Sequence, residues 1–267
     1  MLDSLRLYFR YVALSIRGQM QYRASFVMLT LGHLFITGVE FLAIWALFDR
    51  FGTLRGWTLP EVALFYGVVN IAFALSEAAA RGFDLFPGMV KSGDFDRLLL
   101  RPRSTVLQLL GRELQLMRVG RVLQASIILG WGASALGVEW TLAKAGLLAA
   151  AILGGACLFS GLFVLQATLA FWTTESLEIL NTVTYGGVET AQYPLNIYRP
   201  WFRLLFTMVI PLACINYFPA LAILGRPDPH GAPAFLGWAA PAVGFLFLIA
   251  TFQIWKIGVR HYRSTGS

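Results

Sequence analysis

Charge is scarce in this chain. Only 13% of its 267 residues are Asp, Glu, Lys or Arg, about half the share that soluble domains carry. Lysine is nearly missing, with Lys91, Lys144 and Lys256 the only three. None stands in a G-x-x-x-x-G-K-[ST] arrangement, so there is no backbone cradle for phosphates. Hydrolysis of ATP by the P-loop route is therefore excluded. Histidine is as rare, and His33, His230 and His261 are scattered. Without an H-E-x-x-H motif or a Cys/His cluster, no metal site is expected, and no G-x-S-x-G elbow marks a serine nucleophile. The two cysteines, Cys157 and Cys214, lie far apart in apolar stretches. They exclude a disulfide framework and read as small hydrophobes. A signal peptide is not expected either, because Arg6, Arg10 and Arg17 interrupt residues 2–20 and leave no continuous apolar core.

Apolar surface is what the chain has in excess. Hydrophobic residues make up 57% of it, more than one small soluble core can hide. That excludes a disordered chain, an ordinary cytosolic enzyme and a nucleic-acid-binding domain, and leaves an integral membrane protein. The net charge of +7 then reads as topology, since cytoplasmic loops collect Lys and Arg.

A bilayer core about 30 Å thick takes about 20 apolar residues per helix. Runs of that kind occupy residues 24–48, 60–80, 122–138, 142–172 and 234–257, and the third helix is expected to begin earlier, near Ser104. Residues 173–226 admit two solutions. Residues 204–224 are the more apolar piece, but Pro211, Asn216 and Pro219 interrupt them. Alternatively residues 175–196 cross, and residues 200–224 dip back as a re-entrant hairpin, which is allowed where broken backbone is buried in protein or lines a cavity. Either way the chain crosses six times. Fifteen of the 21 basic residues fall on the side of both termini and of the loop between the second and third spans, which places both termini in the cytoplasm.

Leu2, Leu5, Phe9, Val12 and Ile16 recur at helical spacing, with Arg6, Arg10 and Arg17 on another face. Residues 1–23 are thus predicted to form an amphipathic helix lying in the membrane interface, either as a plain anchor or as an elbow that passes movement to the first span. The loop over residues 81–103 is far longer than a helical hairpin needs. Gly88 and Gly93 permit sharp turns and Pro102 stops a helix. Between them Phe95, Leu98, Leu99 and Leu100 are rimmed by Asp94, Asp96, Arg97, Arg101 and Arg103. An apolar knob with a charged rim suits a protein contact, though a headgroup-facing helix has the same composition.

The sequence SGDFDRLLLRP (residues 92–102) after the second span resembles the hallmark of ABC-2-type transporter permeases related to daunorubicin-resistance and nodulation exporters. AFWTTES (residues 170–176) and the proline-punctuated stretch of residues 193–225, with Pro194, Pro200, Trp201, Pro211 and Pro219, are similar to further segments of that family. The polar run Glu189-Thr-Ala-Gln-Tyr before Pro194 departs from the family's small residues there. The resemblance implies an all-α membrane domain of six spans with an interfacial N-terminal helix. A cytoplasmic coupling helix would follow the second span, and a re-entrant hairpin would act as an outer gate after the fifth (residues 175–196). It implies coupling roles for Gly93, Asp96, Leu98, Leu99, Leu100, Arg101 and Pro102. It also implies a second permease chain, identical or homologous, and two copies of an ABC ATPase that carries the ATP and Mg, with no cofactor bound by this chain. The membrane implied is the bacterial cytoplasmic (inner) membrane. The cargo would be hydrophobic or amphipathic, exported by alternating access among membrane lipid, with no nucleic acid involved.

Ionisable groups inside spans face the bundle or a cavity. His33 and Glu40 are two helical turns apart, and Glu178 and Glu189 lie in the proposed fifth span, so these four form a possible polar seam or a set of structural helix contacts. Glu77 and Arg81, at i and i+4, are expected to pair. Two rival functions remain open at this point. One is an ion-coupled secondary transporter using Glu40, Glu178 or Glu189, although no internal repeat is visible. The other is a membrane scaffold or lipid-modifying enzyme active on its own.

Overall fold

The computed structural model describes residues 2–173 and 177–263. Its regular structure is helical, and among the described residues the only β pairing is an isolated bridge between Leu54 and Trp57. The central element is α3. We number the first helices α1 (Leu2–Gln21), α2 (Arg23–Phe51) and α3 (Leu59–Asp84). The start of α3 is fixed by a side-chain cap: the Glu61 carboxylate accepts from the Thr58 N–H at 2.8 Å and the Thr58 hydroxyl at 2.9 Å. Pro60 sits in the first turn, where no N–H is needed. Being apolar all round, α3 is buried all round: 83% of its most apolar stretch is inside the protein, against 11% for α2.

After α3 come three short helices, α4 (Phe86–Lys91), α5 (Asp94–Leu99) and α6 (Thr105–Leu110), then α7 (Val119–Ala135) and α8 (Leu142–Leu169). Helices α7 and α8 flank α3, and α2 lies on α7. The helix expected to run unbroken from Ser104 to residue 138 is in two pieces. It stops at Gly111 and resumes through a 3-10 turn at Leu116–Arg118. There the Gln115 N–H bonds to the Ala78 carbonyl of α3 at 3.2 Å, a contact that a continuing helix would forbid.

The chain continues through α9 (Leu177–Ala191), the broken hairpin of α10 (Pro200–Leu204), a π turn (Leu205–Val209), α11 (Leu212–Ile215) and α12 (Tyr217–Leu224), then α13 (Phe235–Ala239) and α14 (Ala242–His261). The last apolar run, expected as one helix over 234–257, is interrupted at Ala240 and Pro241 between α13 and α14. Helix α14 lies on α8. Their crossing is close because both partners lack a side chain: a Cβ on Gly244 would fall on the Gly154 carbonyl. Gly244→Ala is therefore expected to destabilise the protein by about 1–3 kcal/mol through overpacking, read as a lower melting temperature in detergent. Gly186→Ala, where nothing lies within 4 Å of the added methyl, should leave melting unchanged.

Among the described residues, four helical stretches are long and apolar enough to cross a bilayer: Arg23–Phe51, Leu59–Lys91, Leu142–Leu169 and Ala242–His261. The hairpin halves, Pro200–Val209 and Leu212–Leu224, would make a fifth only if their 74° bend is counted as one span. Helix α7 has 17 residues and α9 has 15. At about 1.5 Å per residue these described helices cover about 26 and 22 Å of a 30 Å core. Residues 174–176, including the start of the expected fifth span and the end of the AFWTTES segment, lie outside the described residues.

The hairpin begins and ends on the same tryptophan. Trp57 Nε1 donates to Asn196 Oδ1 at 3.0 Å on the way in. On the way out, the Arg226 guanidinium lies 4.8 Å from the Trp57 ring centre and 2.7 Å from the Glu61 carboxylate. Between these points Ile215 reaches the middle of the bundle, beside Gly155 and Ala72. Both lie 13 residues from the first residue of their helices, about 20 Å in at helical rise. The Asn216 amide N–H donates to the Ala191 carbonyl at the end of α9, and the Tyr198 hydroxyl donates to the Thr190 carbonyl at 3.1 Å. The unusual polar run from residue 189 to 193 thus receives the hairpin.

Candidate coupling surface and polar column

Gly93 stands at φ +72°, a left-handed turn that redirects the chain from α4 into α5. The turn divides the expected apolar knob into two sides. Phe95 and Leu98 point inward, at 0% and 8% exposure, while Leu99 and Leu100 point outward, at 42% and 86%. Arg101 and Pro102 are also exposed. The four apolar side chains of the knob, three on the six-residue helix and Leu100 at its C-cap, thus divide between two faces.

The inward face meets an aromatic cage. The Phe95 ring centre lies 4.9 Å from Phe86 and 4.9 Å from Tyr262, 5.5 Å from Phe171 and 6.3 Å from Trp255, mostly edge to face. Trp255 also packs on Phe83 and Phe86, and its Nε1 donates to Thr105 Oγ1 at 3.1 Å. Gln108 Nε2 bonds to the Leu98 and Arg103 carbonyls, both at 3.1 Å, pinning the end of the loop. Asp96 faces Tyr262, and burial together with this carboxylate pushes the Tyr262 phenol above its ordinary value.

Helix α1 meets the same region by a stripe that its apolar periodicity does not mark. Tyr11 packs on Gly111. Ser15 and Gln19 bond the Leu114 carbonyl, and Gln19 Oε1 accepts from the Leu116 N–H at 3.1 Å. Phe9 and Ile16, of the predicted apolar stripe, are exposed.

The buried charges pair differently from the expectation. Arg81 bonds Asp84, one turn on, and not Glu77. Glu77, 2% exposed, accepts instead from Arg118 Nη2 at 2.9 Å, with Arg121 Nη1 at 3.6 Å. Arg121 also donates twice to Asn70 Oδ1, at 2.9 and 2.7 Å, and lies 5.0 Å from the Phe73 ring centre. The break at residues 111–118 is what carries Arg118 to α3, so spacing along one helix could not reveal the pair.

Above these ions the polar contacts continue. The Tyr66 hydroxyl donates to the Thr37 carbonyl at 2.9 Å, and Gln124 Nε2 bonds both. Of the possible seam, His33 is within electrostatic range of Arg118 and Arg121, and Glu40 and Glu189 are within range of each other. Glu178, exposed at the opposite end of α9, stands apart from them. Of the proline set, Pro200 opens α10 beside exposed Trp201, Pro194 and Pro219 are buried, and Pro211 marks the break before α11.

These features define a multi-pass helical membrane protein with an exposed apolar loop at one end and a broken hairpin at the other. The family model described as ABC-2 family transporter protein matches residues 34–266, and the chain belongs to that family. It is therefore the membrane permease component of an ABC transporter, a class whose permeases normally lack an ATPase site and work with an ABC ATPase. The match begins within α2 and leaves α1 outside it. No curated protein and no solved structure matches the chain.

Proposed function

We propose that this chain is half of the translocation pathway of an ATP-driven exporter in the bacterial cytoplasmic membrane, working as a homo- or heterodimer with two ATPase copies. In this reading α2, α3, α7, α8, α9 and α14 are the six spans and both termini are cytoplasmic. The hairpin is re-entrant and acts as the outer gate. The surface over Leu99, Leu100, Arg101 and Pro102 seats the ATPase, with Gly93 setting the turn and Asp96 and Leu98 bracing it. A hydrophobic or amphipathic cargo would move by alternating access along the polar column at the partner-facing side of α2 and α9.

One observation carries the reading: an exposed leucine pair on a loop whose other face is locked into the bundle. Such a loop suits a partner that must push without unfolding it. The hairpin that leaves and returns at Trp57 supports the gate assignment. Glu40 and Glu189 keep ion-coupled transport as the second reading, because acidic groups at membrane depth also suit a cation pathway.

The test is purification of the full chain with the ATPase encoded beside it, followed by reconstitution in nanodiscs. Stable co-purification is expected, with hydrolysis only when the ATPase is present. A chain that purifies without an ATPase and moves protons or sodium in vesicles on an ion gradient alone supports the second reading instead.

A further inference from the structure

We infer that Phe95 is a positioning residue that converts movement of the loop into tilting of α14, and through α13 into movement of the hairpin. This rests on the coupling reading above. Leu99 at the end of the short α5 and Leu100 at its C-cap stand about one turn from Phe95, so a push on the leucines is delivered to the phenylalanine with little loss. Phe95 is fully buried among Phe86, Phe171, Trp255 and Tyr262. Two of these, Trp255 and Tyr262, belong to α14 and the residue following it.

The elements around the cage differ in how freely they can answer. Helix α3 is gripped on all sides, with 83% of its apolar stretch buried, whereas only 22% of the corresponding stretch of α14 is buried. Helix α14 rests on α8 along its length: it is held closest at Gly244 on Gly154, just after the break at Pro241, and Gly258 seats on Thr168 of α8 and on Phe171 of the cage. The Gly244 crossing is its pivot and Trp255, about 16 Å along the helix, its handle, which moves together with the Thr168 and Phe171 end of α8 on which Gly258 rests. Beyond the pivot, α13 seats Gly237 on Ala222 of α12, within the hairpin. The path from Phe95 to the hairpin is thus continuous packing through α14 and α13, a route by which coupling between distant sites can travel.

The experiment uses the full chain in complex with its ATPase in nanodiscs. Cys157→Ala and Cys214→Ala remove the native thiols, and Met208→Cys, at a position 73% exposed on the hairpin, reports through a membrane-impermeant maleimide. A non-hydrolysable ATP analogue should change the labelling rate in the otherwise unaltered complex. Phe95→Ala should reduce that change about fivefold or more while the ATPase stays bound and hydrolyses ATP. Phe95→Tyr should restore it, and Trp255→Ala added to Phe95→Ala should cost nothing further. Where Phe95→Ala does not fold, Phe95→Leu and Trp255→Phe are read in its place. An undiminished nucleotide response in the folded variants overturns the inference alone. Failure of the unaltered chain to bind the ATPase overturns the coupling reading itself.

Discussion

Glu77→Gln should cost about 3–5 kcal/mol of stability, the usual penalty for removing one partner of a buried ion pair. The expected result is sharply lower yield and melting temperature in detergent. The penalty arises from what is left behind. One carboxylate, 2% exposed, serves the guanidinium groups of Arg118 and Arg121, whose side chains are 14% and 12% exposed. Asn70 and the ring of Phe73 spread the excess positive charge on Arg121 but cannot neutralise a second cation. With Glu77 amidated, two adjacent cations remain in a site closed to water. Removing one of them as well, in Glu77→Gln with Arg118→Gln, should recover part of the loss. Equal melting of Glu77→Gln and the unaltered chain would show that the site is wet and that the ions do not hold the break at residues 111–118 against α3.

Leu99→Asp with Leu100→Asp should abolish ATPase binding without unfolding the permease. The two side chains are exposed and rimmed by Asp94, Arg97 and Arg101, the arrangement of an interface anchor with a polar rim. Losing such an anchor costs about 2 kcal/mol or more, which is at least about 30-fold in affinity. Placing carboxylates there deepens the loss. Co-purification with the ATPase should fail while the melting temperature holds. Leu98→Asp supplies the contrast, because Leu98 is buried and its carboxylate would unfold the loop. If the double variant still retains the ATPase, the leucine pair is not the seat.

Much of the architecture was legible in the sequence because it rests on long apolar runs, and α2, α3, α8 and α14 fall within or close to them. The loop was legible for its glycines and its length. The sequence could not show that Phe95 turns inward, because four apolar residues on a short helix and its C-cap do not reveal which face is covered. Its partners Phe171, Trp255 and Tyr262 lie 76 or more residues away. The ion site was misread for a related reason. Arg81 lies one turn from both Glu77 and Asp84, and the choice between them is made by Arg118, which only the break in the third span delivers. The Tyr11, Ser15 and Gln19 stripe of α1 escaped notice because it is neither apolar nor charged, so periodicity gave no signal for it.

The claim that an ATPase drives this permease from the loop is tested most directly by photo-crosslinking in the intact complex. A photoreactive residue is placed at position 100 or, for comparison, at position 142, where Leu142 is 91% exposed. Position 142 lies at the far end of α8, about 40 Å from the aromatic cage at helical rise. The expected result is an adduct with the ATPase from position 100 and none from position 142. An adduct from position 142, or none from position 100 while the ATPase is bound, would contradict it.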